Sequence, residues 1–369
     1  MFADRVKNIT ASGIRKVFDL AAKMQNPVNF SIGQPDFDVP EPVKEAAIKA
    51  IQQGLNQYTM TQGISILREK VKEELQKTRN FVPEGLMITS GTSGALLLAM
   101  MVLVNPGDEV LIPDPYFVMY KHLLSLAGGV PKYYSLYPDF QIDVKKIEEK
   151  ITEKTKIILI NSPSNPTGTV FSKETLLQIA QIAKKNNLLI ISDEIYEAFN
   201  YEDQHHSIVS YYPNTLLLNG FSKTYGMPGW RMGYAAGPQA IIEKMTTLQQ
   251  FTFVCAPTPA QYACIKTFDV DLAPYIERYK RKRDKIYQGL LDIGFQVSKP
   301  HGAFYIFPEV PWGTGQKFCE AAVAKEILVI PGNAFSEKDT HFRISFATKE
   351  EEIDRGLDLL KKVFQEGMK

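Results

Sequence analysis

The chain has 369 residues, and 42 Lys and Arg residues against 41 Asp and Glu residues leave a formal net charge of +1. This balance gives no overall attraction to nucleic acid or to an anionic membrane, so neither is expected as a partner. A composition with 44% hydrophobic and 22% charged residues excludes a disordered or collagen-like chain. The length exceeds the roughly 250 to 300 residues at which one core stops growing, which predicts at least two domains.

The cysteines and the apolar runs indicate the compartment. Cys255, Cys264 and Cys319 form no C-x-x-C pair, and their odd number argues against a disulfide framework, so we expect the cytoplasm. The N-terminal residues mix acids and bases with apolar residues and lack the apolar segment of a signal peptide. The longest apolar run, residues 95–104, is about half of the roughly 20 residues that span a bilayer, so no membrane segment is predicted.

Residues 85–237 alternate short β-rich runs with helical patterns. EVLIPDPYF, KIILINSP, LLIISDEIY and TLLLNGFSK are strand-like, whereas KETLLQIAQIAKKNN has the spacing of a helix. This alternation predicts an α/β fold whose mainly parallel sheet is covered by helices on both faces.

The pattern changes towards the C-terminus. A long amphipathic stretch at residues 273–294 predicts a helix that ends near Gly294, and strands mixed with two helices follow it. We therefore predict a large domain over residues 45–275 and a smaller α+β domain over residues 276–369. The pattern alone leaves open where residues 1–44 pack, and we expect them to pack with the small domain.

Two groups of basic residues indicate no partner. The run Tyr-Lys-Arg-Lys-Arg at residues 279–283 lies between Glu277 and Asp284, so we expect a solvated helix face rather than a nucleic-acid site. The five histidines show no metal-ligand spacing, so no metal site is predicted. We expect His205 and His206 in a surface loop.

Polar residues follow three of the strand-like runs. Asn165, Asp193 and Lys223 lie 28 and 30 residues apart, close to one βαβ unit each. Ligands of open α/β sheets bind at the carboxyl ends of the strands, so we expect these side chains to meet there. The alternative is that they are unrelated loop residues.

A second candidate site is an anion site. In MITSGTSGALLLAM a strand runs into small residues and then a helix that begins near Thr92 or Ser93. The free N–H groups and the positive dipole end of such a helix suit a phosphate. Neither a Walker loop nor a G-x-G-x-x-G motif is present. Further along, Ser222, Lys223 and Arg231 fall within ten residues.

Five motifs together resemble the class I aminotransferases, which are pyridoxal 5′-phosphate enzymes of fold type I. The motifs are SIGQPDF (31–37), NSPSNPTGTV (161–170), SDEIYEAF (192–199), GFSKTYGMPGWRMGY (220–234) and FRISFA (342–347). They occur in the family's order, and Gln34 stands where relatives often have Glu. The resemblance implies a homodimer that moves an amino group between an L-amino acid and a 2-oxo acid.

The resemblance also implies the site residues. Lys223 attaches to the cofactor aldehyde and shuttles a proton, Asp193 pairs with the protonated ring nitrogen, and Tyr196 hydrogen-bonds the ring hydroxyl. Further cofactor contacts are implied at Thr92, Ser93, Phe117, Asn165, Ser222 and Arg231, and at Tyr58 of the neighbouring subunit. Substrate contacts are implied at Gly33, Asn165 and Arg343.

The chemistry sets a requirement on Lys223. A free lysine with a pKa of about 10.4 is almost fully protonated at pH 7, whereas attack on an aldehyde needs the neutral amine. We therefore expect desolvation and nearby positive charge, such as Arg231, to lower the pKa of Lys223.

The sequence leaves two other functions open: a carbon–sulfur lyase on the same fold, and a cofactor-binding regulator without catalysis. Specificity for the substrate side chain is expected from residues near Ile14, Val17, Tyr58 and 251–256. No unambiguous second cation for an acidic side chain is present, and the resemblance allows aspartate, aromatic or aliphatic substrates.

Overall fold

The computed structural model describes residues 2–7, 9, 24–202 and 205–367, so Ile14 and Val17 lie outside the described residues. The helices are α1 (Asp4–Lys7), α2 (Glu41–Gln52), α3 (Ser65–Arg79), α4 (Gly91–Leu103), α5 (Met119–Ala127), α6 (Val144–Glu148), α7 (Lys173–Lys185), α8 (Gln239–Gln250), α9 (Thr258–Cys264), α10 (Ala273–Ile293), α11 (Gly315–Ala324) and α12 (Glu350–Glu366). The strands are β1 (Val28–Asn29), β2 (Gly85–Ser90), β3 (Glu109–Asp114), β4 (Val130–Ser135), β5 (Thr155–Asn161), β6 (Leu189–Asp193), β7 (Thr215–Gly220), β8 (Met232–Gly237), β9 (Tyr305–Ile306), β10 (Ile327–Leu328), β11 (Ile330–Pro331) and β12 (Phe342–Ser345).

A seven-stranded sheet of order β2-β8-β7-β6-β5-β3-β4 forms the centre of the fold. β8 is antiparallel to β2 and β7, and the other neighbours are parallel. The predicted strand-like runs correspond to β3, β5, β6 and β7, which are almost entirely buried. The mainly parallel sheet confirms the α/β prediction. Parallel strands rich in Ile and Leu require cover on both faces.

Helices pack on both faces of this sheet. Successive residues of β5 point to opposite faces, with Leu159 in one core cluster and Ile158 in another. Leu159 shares its cluster with α4, α5 and α8, and Ile158 shares its cluster with α7. Helices α2, α3 and α9 cover the edge formed by β2 and β8. This packing leaves the carboxyl ends of β5, β6 and β7 free to carry loops.

The C-terminal part forms a second, smaller layer. β11, β12 and β9 make an antiparallel three-stranded sheet, and β1 pairs in parallel with β10. Phe30 lies in the same core cluster as Ile344 of β12 and Leu360 of α12. The predicted long helix is α10, which ends where Gly294 adopts a left-handed φ of 112°.

The prediction that residues 279–283 form a solvated helix face is wrong. Tyr279, Lys282 and Arg283 are at most 2% exposed, because the helical period places them on the same buried side of α10. Lys282 Nζ lies 2.6 Å from Asp36 Oδ2, and Arg283 Nη1 lies 2.8 Å from Glu202 Oε1. These carboxylates balance the buried charges, which a count of local charges does not reveal.

Within the described residues, no helix combines the length and the hydropathy needed to cross a membrane.

Candidate active site

The carboxyl ends of β5 and β6 are tied together by Asn161. Asn161 is the register partner of Asp193, and its side chain donates a hydrogen bond of 2.9 Å to the Asp193 carbonyl. Its Oδ1 accepts a second bond of 2.9 Å from the backbone N–H of Asn165. Asn161 therefore fixes the loop that carries Asn165 beside the end of β6.

A cavity of about 250 Å³ opens at these strand ends. The structure brings together there the following predicted residues: Gly33, Thr92, Ser93, Phe117, Asn165, Asp193, Tyr196, Ser222, Lys223, Arg231 and Arg343. Ile195, Pro228 and Tyr305 complete the lining. The spacing of these residues therefore predicts their location correctly, since Asn165, Asp193 and Lys223 meet at one edge of the sheet.

Lys223 follows β7 and points its amine into this cavity. Nζ donates a hydrogen bond of 2.8 Å to the carbonyl oxygen of Gly33. Burial, with smaller contributions from Arg343 and Arg231, lowers the pKa of Lys223 to about 8, although Asp193 acts in the opposite direction. The amine therefore reaches its neutral, nucleophilic form at a much lower pH than an exposed lysine.

Asp193 is a buried carboxylate that receives no hydrogen bond from a cationic donor in the part of the chain that the structure describes. The Tyr120 hydroxyl donates to Oδ2 over 2.7 Å, and the Ile195 N–H donates to Oδ1 over 3.3 Å. Burial raises the pKa of Asp193 to about 6, while the bond from Tyr120 works against this rise. A cationic group brought by a ligand would balance this charge. Sequence reasoning missed Tyr120, although it lies only three residues after Phe117.

The start of α4 has the features of an anion site. Ser90 makes no side-chain cap, so the first N–H groups of α4 have no capping acceptor from it. Arg231 donates to the carbonyls of Pro228 over 2.9 Å and of Ser90 over 3.4 Å, which holds its guanidinium beside Gly91. A Cβ on Gly91 would lie only 2.7 Å from Arg231 Nη2, and Gly91 has a φ of +65°. Glycine is therefore needed where the guanidinium meets the helix start.

Arg343 of β12 is a fully buried cation whose hydrogen-bond partners among the described residues are all neutral. It donates to Asn165 Oδ1 over 3.1 Å and to the Ser31 carbonyl over 2.7 Å, while Nε is buried and has no partner among those residues. Its guanidinium carbon lies 4.6 Å from the ring centroids of both Tyr305 and Phe335. A carboxylate ligand would satisfy Nε and balance the charge.

The segment that carries Gly33 is held from two sides. Gly33 accepts the bond from Lys223, and three residues later Asp36 accepts bonds of 2.6 Å from the Tyr279 hydroxyl and from Lys282 Nζ. A Cβ at Gly33 would lie 2.4 Å from the Tyr305 hydroxyl. The backbone at residue 33 can therefore approach the cavity only as glycine. The buried face of α10 thus supports the cavity.

Tyr58 is the predicted site residue that the single chain does not bring into the cavity. It is 83% exposed in the connection between α2 and α3, where it lines a surface groove with Met60 and Ile66. Phe251, from the region predicted to set specificity, is 82% exposed. Both side chains point to a surface rather than to the chain's own site.

The sequence predicts His205 in a surface loop. In the structure its side chain is only 14% exposed and contacts Glu194. His205 Nε2 is 2.9 Å from Glu194 Oε2, and Arg79 forms ion pairs with both Glu194 and Glu197. Glu194, Glu197 and His205 are the one group with metal-ligand geometry in the part of the chain that the structure describes. Arg79 already pairs with both carboxylates, so the cluster forms an internal ion network beside a cavity of about 520 Å³.

The chain is similar to known proteins over nearly its whole length. The family model for aminotransferase class I and II matches residues 25–360. A probable aspartate aminotransferase from Methanocaldococcus jannaschii is 42% identical over 99% of this chain and 100% of that protein. Aromatic-amino-acid aminotransferase 2 from Thermococcus litoralis is 37% identical over 99% of this chain and 98% of that protein. The structure of aspartate aminotransferase from Thermus thermophilus with maleate has a TM-score of 0.94 at 33% identity, with 98% of this chain and 99% of that chain covered.

These matches confirm the predicted fold type I, with its mainly parallel sheet between helices and its smaller C-terminal layer. They also confirm pyridoxal 5′-phosphate as the cofactor, because the family uses it. The chain therefore belongs to the class I and II aminotransferases, enzymes that use pyridoxal 5′-phosphate to transfer an amino group between an amino acid and a 2-oxo acid.

Proposed function

We propose that the cavity at the ends of β5, β6 and β7 is the site of transamination, and that its residues have the roles the sequence predicted. One observation carries this proposal. A lysine of lowered pKa lies in one cavity with a buried carboxylate and a buried arginine, and no described residue serves either of these two charges as a hydrogen-bonded counterion. Lys223 can thus bind an aldehyde, Asp193 can pair with a cationic ring, and Arg343 can pair with a substrate carboxylate.

The residues present fit the cofactor. The phosphate would lie at the start of α4 with Thr92, Ser93, Ser222 and Arg231, where Gly91 leaves room for the guanidinium. Asp193 would hold the ring nitrogen, Asn165 and Tyr196 the ring hydroxyl, and Phe117 one face of the ring. When bound, the cofactor supplies an electron sink for the charge left at the substrate Cα.

The protein's own groups would do the rest. Arg343 binds the α-carboxylate and, with Asn165 and the backbone at Gly33, orients the amino acid so that its Cα–H bond faces Lys223. Lys223 Nζ would take the proton from the substrate Cα and deliver it to the C4′ carbon of the cofactor. Asp193 would keep the proton on the ring nitrogen, because it is buried and no cationic donor among the described residues competes for it.

The proposed substrates are aspartate, aromatic amino acids and aliphatic amino acids. Relatives named for aspartate and for aromatic amino acids support these two classes, and aliphatic amino acids are included on the family resemblance. Among the described residues the cavity holds three cations, Lys223, Arg231 and Arg343, and each has a proposed role. An acidic side chain would therefore need a further cation from outside this lining, whereas Phe117, Ile195 and Tyr305 suit an apolar one.

A screen of the twenty amino acids against the cofactor-loaded enzyme tests the function. We expect aspartate, an aromatic or an aliphatic amino acid to shift the visible band of the cofactor, with one equivalent of 2-oxo acid formed per site. A 2-oxo acid acceptor should then restore the band. Continuous release of ammonia without an acceptor would instead establish a lyase, and no shift with any amino acid would contradict both reactions.

The pH dependence of cofactor capture follows from Lys223. Because the amine must be neutral to attack the aldehyde, the capture rate of the cofactor-free enzyme should rise about tenfold per pH unit below pH 8 and level off above it. The lowered pKa places this plateau below that of an ordinary lysine. Stopped-flow absorbance from pH 6 to 10 measures it. A rate that still climbs steeply between pH 9 and 10 would contradict the assignment.

We also propose a homodimer with shared sites. The exposure of Tyr58, Met60 and Ile66 around one groove supports a covered apolar surface there, and the family resemblance places Tyr58 at the partner's phosphate. The solution mass should be about twice 41.6 kDa. Tyr58→Ala should weaken cofactor binding about tenfold or more, since a hydrogen bond to a charged group is lost. Met60→Ala in the same groove is the control, and equal affinities would contradict sharing.

Two further assignments remain proposals. We propose a large domain over residues 45–275, a small domain over residues 276–369, and an N-terminal segment, residues 1–44, that packs with the small one. The pairing of β1 with β10 supports that placement of the N-terminal segment. We propose the cytoplasm as the compartment, which the three free cysteines support.

A further inference from the structure

Tyr305 is a cavity residue that sequence reasoning did not identify. It lies in β9 of the C-terminal sheet, where its register partner is Ser345 of β12. Its side chain is 1% exposed, and its hydroxyl lies against Gly33. Tyr305 thus extends from the C-terminal sheet into a cavity otherwise built largely on the ends of the central strands.

The hydroxyl and the ring of Tyr305 contact two different parts of the site. Its hydroxyl oxygen lies 2.9 Å from that of Tyr196, which is proposed to hold the ring hydroxyl of the cofactor. The Tyr305 ring lies beneath the guanidinium of Arg343, which is proposed to bind the substrate. The only other hydrogen bond of the Tyr196 hydroxyl among the described residues comes from Asn165 Nδ2 over 3.5 Å.

The number of protons decides the direction of these bonds. A tyrosine hydroxyl donates one hydrogen bond, and an amide nitrogen such as Asn165 Nδ2 only donates. Once Tyr196 gives its single proton to an oxygen of the cofactor, it can meet Tyr305 only as an acceptor. We propose that Tyr305 is a positioning residue that donates its hydroxyl proton to Tyr196 and so commits the proton of Tyr196 to the cofactor's ring oxygen. This inference rests on the proposed role of Tyr196.

The expected consequence is electrostatic. A chain of two hydroxyl donors stabilises a negative charge on the ring oxygen better than one donor does, and so favours its deprotonated form. Among the described residues, the charged and titratable groups that face the pair are Arg343 from β12, Asp193 at the end of β6 and Tyr120 of α5, while Lys223 lies beyond Gly33. Tyr305→Phe leaves all of these groups in place and keeps the ring beneath Arg343.

The experiment is a spectrophotometric pH titration of the cofactor band in the loaded enzyme. Tyr305→Phe should move the titration midpoint upward by about half a pH unit, the size expected for one lost hydrogen bond. Tyr134→Phe is the matched control: Tyr134 is also a buried tyrosine, but its hydroxyl donates to the Leu159 carbonyl outside this cavity. The midpoint of the control should equal that of the unaltered enzyme.

The same substitution in a Tyr196→Phe background shows whether Tyr305 acts through Tyr196. We expect Tyr196→Phe alone to shift the midpoint further than Tyr305→Phe, and the double variant to shift no further than Tyr196→Phe. An unchanged midpoint in Tyr305→Phe, or an equal shift in both backgrounds, would overturn the inference. Borohydride reduction separates a failure of the Tyr305 inference from a failure of the proposed function. A cofactor that is not attached to Lys223 would refute the proposed function rather than the role of Tyr305.

Discussion

Lys223→Ala is expected to abolish covalent attachment of the cofactor and to lower kcat by more than about 1,000-fold, because one side chain supplies both the nucleophile and the proton carrier. Lys223 is the only lysine among the described residues that line the cavity. No other amine among the described lining residues can therefore replace it.

Borohydride reduction followed by peptide mass mapping measures the attachment directly. The unaltered enzyme should carry the reduced adduct on the peptide that contains Lys223, and the variant should carry none. Lys244→Ala is the control, since Lys244 is an exposed lysine of α8. An adduct on another lysine in the unaltered enzyme, or an active Lys223→Ala variant, would show that the site has been misassigned.

The position of the site could be predicted because strand ends are a local property of the sequence. Each of β5, β6 and β7 is an apolar run followed at once by polar residues, so Asn165, Asp193 and Lys223 could be placed near one sheet edge. The order of the strands could not be predicted in this way. β8 follows β7 in the chain but pairs with both β7 and β2. The residues of β2 contain no pattern that predicts its pairing with β8.

Residues that act across long sequence distances escaped prediction. Tyr120 contacts Asp193 from 73 positions away, and Tyr305 contacts Tyr196 from 109 positions away. Neither lies in a motif used for the resemblance. The local charges around Lys282 indicate a solvent-exposed side chain, whereas its partner Asp36 lies 246 positions away. Burial with a distant counterion depends on tertiary packing, which local charge patterns do not encode.

Tyr58 illustrates a different limit. The family resemblance assigns it to the cofactor, but its position in the single chain is a surface groove. In the proposed homodimer, this residue would reach the site of the other copy of the chain. A single sequence can therefore suggest a role for Tyr58 but not the position of its side chain relative to the cofactor.

Asp193→Asn should leave the cofactor attached to Lys223 and still lower kcat by more than about 1,000-fold. Asp193 is the only carboxylate among the described lining residues and is 2% exposed. A buried carboxylate can raise the pKa of an adjacent cationic group by about 1 to 3 units, whereas the isosteric amide carries no charge. The variant would therefore lose the proton on the ring nitrogen at neutral pH, and with it the electron sink.

Single-turnover kinetics with the best amino acid from the screen separates this effect from a loss of binding. The decay of the cofactor band should slow by the same factor as kcat, and the amino acid should bind with unchanged affinity because Arg343 is intact. Asp292→Asn, which makes the same chemical change at an exposed position of α10, should behave as the unaltered enzyme. A decrease of less than tenfold in Asp193→Asn would mean that this carboxylate does not hold the ring nitrogen. Its burial without a cationic donor would then need another explanation, since Tyr120 and the Ile195 N–H supply no positive charge.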